Sequence, residues 1–197
     1  MIRPGWFAGA AALVVAVGTF AITGSAQAVG VAAPVIPAAP VPPTPAPLVN
    51  DISCGSPSTN SLGFTPHLTL VNQLTTVQRT TAYRPCSSFA FPAITSGYES
   101  QTFSFGDDCT MVLLPGSPTF TITWNTTQTT TIAASRTATL SGNTLTVNFA
   151  GTVTGGLFAG SNVRQTFKAS TPELVSCLAG TGRLPFILSD VTLQIWH

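Results

Sequence analysis

Thr119-Phe120-Thr121-Ile122-Thr123-Trp124, followed by Asn125-Thr126-Thr127-Gln128 and then Thr129-Thr130-Thr131-Ile132-Ala133-Ala134, decides the fold class. Phe120, Ile122 and Trp124 alternate with three threonines. A period of two puts the apolar side chains on one face of a strand and the threonines on the other. Threonine, isoleucine and aromatic residues also suit a pleated, half-buried surface. Asn125–Gln128 then reads as the connection of a hairpin whose second arm begins at Thr129.

The same alternation recurs outward from this hairpin. Leu145, Val147 and Phe149 alternate with Thr144, Thr146 and Asn148, and Val191, Leu193 and Ile195 with Thr192, Gln194 and Trp196. Further strands are expected over His67–Val71, Thr75–Tyr83, Gln101–Phe105, Thr110–Leu114, Thr129–Ala134 and Asn162–Phe167. Ser141-Gly142-Asn143 has hairpin-turn chemistry. Pro115-Gly116-Ser117-Pro118 and Gly155-Gly156 are breaks. No segment reads as a helix. About nine or ten short strands with regular turns predict an all-β domain. Its expected form is an antiparallel two-sheet sandwich, Ig-like, with a small β-barrel as the alternative.

Before this domain come two segments of different character. Met1–Ala28 has a basic start at Arg3, an apolar run centred on Leu13-Val14-Val15, and a small-residue exit at Ala26-Gln27-Ala28. That is the pattern of a signal peptide, and the expected location is secreted, extracellular or cell surface. The apolar run is about half the ~20 residues of a spanning helix, so no membrane span is expected once the leader is cleaved. Residues 29–50 form a Pro/Ala-rich spacer in which Pro34, Pro37, Pro40, Pro42, Pro43, Pro45 and Pro47 preclude helix and central strand. Residues 51–197 form the β domain.

Charge is scarce. Charged residues make up 7% of the chain and the formal balance is +1. Loss of Arg3 with the leader would leave a neutral chain. A neutral domain has no electrostatic route to nucleic acid or to anionic lipid, so neither partner is expected. Four cysteines, Cys54, Cys86, Cys109 and Cys177, all follow the leader. An even count in an exported chain predicts two disulfides. Three connectivities are open, and the expected pairing is Cys86–Cys109 with Cys54–Cys177. No spacing suits a metal, and no cofactor is expected.

Candidate chemistry is mostly negative. There is no nucleophile-elbow motif. His67 and His197 are isolated, with no carboxylate close by in sequence, so no catalytic residue is assigned. Asp107-Asp108 can be read as part of a calcium site or, more simply, as a solvated hairpin tip. Asn125-Thr126-Thr127 matches a glycosylation acceptor but also a turn. Gly180-Thr181-Gly182-Arg183 reads as a turn. Planar rings on a sheet face stack on sugars, which makes Trp196, Tyr83 and Tyr98 the candidate ligand-stacking residues, with Phe89 and Phe91 beside them; Trp124 reads as core.

Three ordered segments carry a resemblance. They are Cys54 through Phe64-Thr65-Pro66-His67-Leu68-Thr69 to Cys86; Cys109-Thr110-Met111-Val112-Leu113-Leu114 to Thr121-Ile122-Thr123-Trp124-Asn125; and Gly151 through Gly155-Gly156-Leu157-Phe158 to Ser176-Cys177-Leu178. Their order resembles a group of uncharacterised secreted β-rich proteins of actinomycetes. In that group Asp-Gly often follows Trp-Asn, where this chain has Thr126-Thr127. The resemblance implies secretion and a β domain and no known activity.

The expected function is therefore an exported, non-enzymatic protein that binds a partner or belongs to the cell envelope. A carbohydrate-binding module, with polysaccharide or a cell-wall component as partner, is one alternative. A self-associating surface protein, in which Thr-rich strand edges pair, is another.

Overall fold

The computed structural model describes residues 49–197; the leader and the spacer up to residue 48 lie outside the described residues. The chain is all-β, but its sheet does not split into the two layers of a sandwich. One antiparallel sheet closes on itself as an eight-stranded barrel, the form expected as the alternative.

The strands of the barrel are β2 (Thr59–Leu68), β3 (Gln73–Tyr83), β5 (Gly97–Asp107), β6 (Thr119–Trp124), β7 (Thr129–Ser141), β8 (Thr144–Gly156), β9 (Asn162–Ser170) and β10 (Leu184–Trp196). Each pairs with the next. Closure comes from β10, whose first half pairs with β2 from Leu184↔Leu68 to Asp190↔Thr59. Its second half pairs along the same edge with β1 (Asn50–Cys54), so β1 and β2 act as one interrupted strand. The short β4 (Cys86–Ser87) adds to β1. Sandwich and barrel share the same in-out alternation along each strand. What separates them is whether the first and last strands meet, a long-range pairing that no local pattern reports.

Local sequence explains most of the elements. The β7–β8 hairpin turns at Gly142-Asn143, where Gly142 has φ 56°. Asn125–Gln128 joins β6 to β7 as expected. Gly97 lies opposite Trp124, and a Cβ there would stand 2.6 Å from the indole, so only glycine lets the ring fill the barrel at that level.

Three sequence expectations change. Residues 69–72 are a turn rather than part of a strand, and β2 lies earlier, over Thr59–Leu68. Thr110–Leu114, expected as a strand, holds a 3-10 turn at Met111–Leu113, started by the Asp108 carboxylate accepting from the Thr110 and Met111 amides. Among the described residues there is also one helix, α1 (Pro172–Leu178). Its signal was present in Thr171-Pro172-Glu173, with proline in the first turn and an acid beside the helix N-terminus.

The disulfides are Cys54–Cys86 and Cys109–Cys177, not the expected pairing. Cys54 and Cys86 are register partners of β1 and β4. Cys109 sits directly after β5 and Cys177 on α1, at the other end of the barrel. Strand register brought Cys54 to Cys86, and the packing of α1 against the segment after β5 brought Cys177 to Cys109; sequence separation carried no information about either. No helix among the described residues is long and apolar enough to cross a membrane.

Candidate functional site

The barrel is not uniformly filled. Around Trp124 the interior is solid: Tyr83, Phe120, Ile122, Ile132 and Ile195 are almost wholly buried. The Trp124 indole N–H donates to Thr130 Oγ1 at 2.7 Å, and that hydroxyl donates to the Leu157 carbonyl. Towards the other end lies a cavity of about 450 Å³. Leu62, Val77, Leu145, Val147, Phe149 and Phe167 are among its apolar walls.

The cavity opens through a gap in the barrel wall. β5 pairs along its whole length with β3, from Gln73↔Asp107 to Tyr83↔Gly97. With β6 it pairs only at Gly97↔Trp124 and Tyr98↔Thr123. The reason is in Pro115-Gly116-Ser117-Pro118. Proline has no amide hydrogen to give a neighbouring strand. The segment instead follows β7, through Gly116↔Arg136 and a bond from the Ala134 amide to the Pro118 carbonyl. The edge of β5 beyond Tyr98 is therefore left without a strand partner, and Gln101 spans the gap by donating to the Thr119 carbonyl at 3.1 Å. Phe103 and Phe105, stacked at 5.5 Å, face this gap and are 39% and 37% exposed, as is Leu114 at 46%.

A charged cluster forms the floor. Arg79 lines the cavity, and its guanidinium lies 5.1 to 5.2 Å from the ring centres of Phe120, Phe149 and Phe167. Its Nη2 donates to Glu99 Oε2 at 3.0 Å. Tyr83 Oη donates to the same oxygen at 2.9 Å, and Gln165 Nε2 donates to Tyr83 Oη at 2.5 Å. Arg79 Nε, Glu99 Oε1 and Gln165 Oε1 have no partner among the described residues. Burial raises the Glu99 pKa, and the Arg79 charge offsets part of that rise. Burial, reinforced by the Glu99 charge, also holds the Tyr83 hydroxyl well above its usual pKa.

Two more charges line the cavity. Arg136 donates to the carbonyls of Val112 and Leu114, fastening the segment that borders the gap. Its pKa is lowered first by burial and then by the Arg79 charge, with Asp107 acting against both. The Asp107 pKa is raised, chiefly by burial. The Asp107-Asp108 pair is thus split: Asp107 faces inward, while Asp108 turns outward to bind the 3-10 turn. Among the described residues no three His, Cys, Asp or Glu side chains gather to hold a metal.

The three expected stacking residues do not meet. Tyr83 points into the barrel and is fully buried, which corrects its assignment to an outer face. Tyr98 is 51% exposed and lines an outer groove with Thr80, Leu188 and Asp190. Trp196 is half-buried at the end of β10. Tyr98 aligns with Ala82, Ala82 with Thr59 and Thr59 with Asp190, which lies six residues before Trp196 along β10. Phe89 is fully exposed, and Phe91 packs edge-on against Phe158. Asn125 is bound on both sides of its amide, accepting from Thr95 and Ser96 and donating to Ala93, which makes it a turn-former rather than a free glycan acceptor.

His197 does have a carboxylate neighbour, one that sequence distance concealed. Its Nδ1 lies 2.7 Å from Asp51 Oδ2, and Ser161 Oγ donates to the same oxygen at 2.8 Å. The three residue types are those of a hydrolytic triad, and Ser161 Oγ also lies 3.2 Å from both His197 ring nitrogens, but the hydroxyl donates directly to the carboxylate and Ser161 is fully buried. A triad instead places the imidazole between acid and an accessible hydroxyl. The cluster ties β10 to β1 and to the β8–β9 connection.

Sequence reasoning missed the cavity and the floor. Arg79 offered one signal: it occupies an inward position of Thr75-Thr76-Val77-Gln78-Arg79-Thr80-Thr81, in phase with Val77 and Thr81. A charge in phase with a buried face marks either a partnered interior ion or a site. Compared with protein-family models, with curated proteins and with solved structures, the chain has no match.

Proposed function

We propose that this chain is an exported, non-enzymatic binding protein that holds one small, largely apolar molecule inside its barrel. The observation that carries this reading is the cavity of about 450 Å³ with apolar walls and a lateral gap between β5 and the Leu114–Pro118 segment. Small-molecule sites run from about 300 to 1,000 Å³ and combine apolar walls with a few polar groups. An eight-stranded barrel is wide enough to be filled by its own side chains or to hold one small ligand. Here one end is filled and the other is not. The two disulfides are consistent with export to an oxidising compartment.

The test is titration of oxidised protein with the neutral fluorophore N-phenylnaphthylamine. Saturable enhancement is expected for the native protein. Val147→Trp, which places an indole in the cavity, should abolish it while leaving the unfolding midpoint nearly unchanged. Equal binding by the filled variant would place the dye on the outer surface and defeat the reading.

A further inference from the structure

Three polar atoms at the floor are unpaired among the described residues, Arg79 Nε, Glu99 Oε1 and Gln165 Oε1, and of these residues Arg79 is the one that lines the cavity. A guanidinium carries five N–H donors. Arg79 uses one nitrogen on Glu99, and its Nε has no partner among the described residues. Arg136 directs its two terminal nitrogens at backbone carbonyls and is close enough to feel the Arg79 charge. Arg79 is only 6% exposed, and three phenyl rings screen it from water. A buried guanidinium is stabilised by a planar acceptor that takes several of its donors at once, which a carboxylate does and a hydroxyl does not.

Building on the cavity as a binding site, we infer that it selects ligands with an acidic head: a carboxylate on an alkyl or aromatic body, with the head at Arg79 and the body along the wall formed by Val77, Val147 and Phe149. The two carboxyl groups nearby do not reverse this preference. Glu99 is engaged by Arg79 and Tyr83 from below, and Asp107 lies at the far end of β5, accepting from the Asp108 amide. Burial raises the pKa of both.

The experiment compares decanoate with decanol as displacers of N-phenylnaphthylamine at neutral pH. Chain length is held constant, so the apolar contribution cancels and the difference reports the head group. Decanoate is expected to displace the dye at about tenfold lower concentration or better, the size of one charge-assisted hydrogen-bonded contact. The preference should vanish on acidification through the pKa of the ligand carboxylate, at about 4 to 5. In Arg79→Met/Glu99→Gln, which removes both charges together, the acid-to-alcohol ratio should fall toward one whatever the absolute affinity. Equal displacement by acid and alcohol in the native protein overturns the inference and leaves the apolar cavity standing. An unchanged ratio in the double variant overturns the assignment to Arg79. Absence of dye binding by the native protein defeats the cavity reading itself, and this inference with it.

Discussion

The two ends of the barrel are built from the same kind of strand and differ in what fills them. At the Trp124 end, β6 meets β5, Gly97 makes room for the indole, and β1 with β4 completes the wall. At the other end β6 is absent, because its chain has turned along β7 at Pro115–Pro118, and the interior is left with a cavity, a gap and two guanidiniums. β6 has 6 residues and β5 has 11. A solid core therefore follows from matched strand lengths, and a cavity from one strand that stops early. Proteins tolerate an unfilled interior when something else ties it down. Here Cys109–Cys177 and the Arg136 bonds to the Val112 and Leu114 carbonyls do so.

This contrast can be broken from either side. Trp124→Ala should have the largest effect, a loss of about 3–5 kcal/mol in chemical denaturation, because a buried aromatic is replaced by a void. A cost below about 1 kcal/mol would mean the filled end is not the stable part of the barrel.

The disulfides sharpen the comparison. Replacing Cys109 and Cys177 by serine removes a cross-link between residues 68 apart, worth about 4 kcal/mol in the loop-entropy picture. Replacing Cys54 and Cys86, 32 apart, should cost somewhat less. The two should differ more clearly in function: dye binding should weaken on loss of Cys109–Cys177 and survive loss of Cys54–Cys86. Equal weakening would show that the two ends are coupled.

Glu99 gives a pH signature. Its folded pKa is raised above the ordinary 4.5 by burial, so the folded state holds its proton to higher pH than the unfolded chain does. Its contribution is therefore greatest below that ordinary value, and stability falls as pH rises through the folded pKa. Denaturant midpoints collected from pH 4 upward should show this decline in the native protein and a flatter profile in Glu99→Gln. A midpoint that rises over the same range would show that the Arg79 charge outweighs burial.

Trp196→Ala should be the smallest effect, under about 1 kcal/mol with dye binding unchanged, since the ring is half-buried on the outer face. Loss of dye binding there would extend the site beyond the cavity.

The strands were legible because their signal is local. Phe120, Ile122 and Trp124 announce an inward face whatever the neighbouring strand is, and Gly142-Asn143 announces a turn. Where sequence misled, a competing local bond had won: Thr110–Leu114 has strand composition, but the Asp108 side chain captures its amides. Tyr83 shows the limit most clearly. Sequence offered it as a ring for an outer face, and its inward phase became decisive only once β3 had a register with β5.

By itself, then, the sequence determined an antiparallel all-β chain with two cystine pairs, because alternation, turn chemistry and an even cysteine count each act over a few residues or by composition alone. Closure through β2 and β10, the partner of each cysteine, the cavity and the burial of Arg79 against Glu99 were decided by tertiary structure. Each depends on which segments lie side by side, and that is set by packing between parts of the chain tens of residues apart.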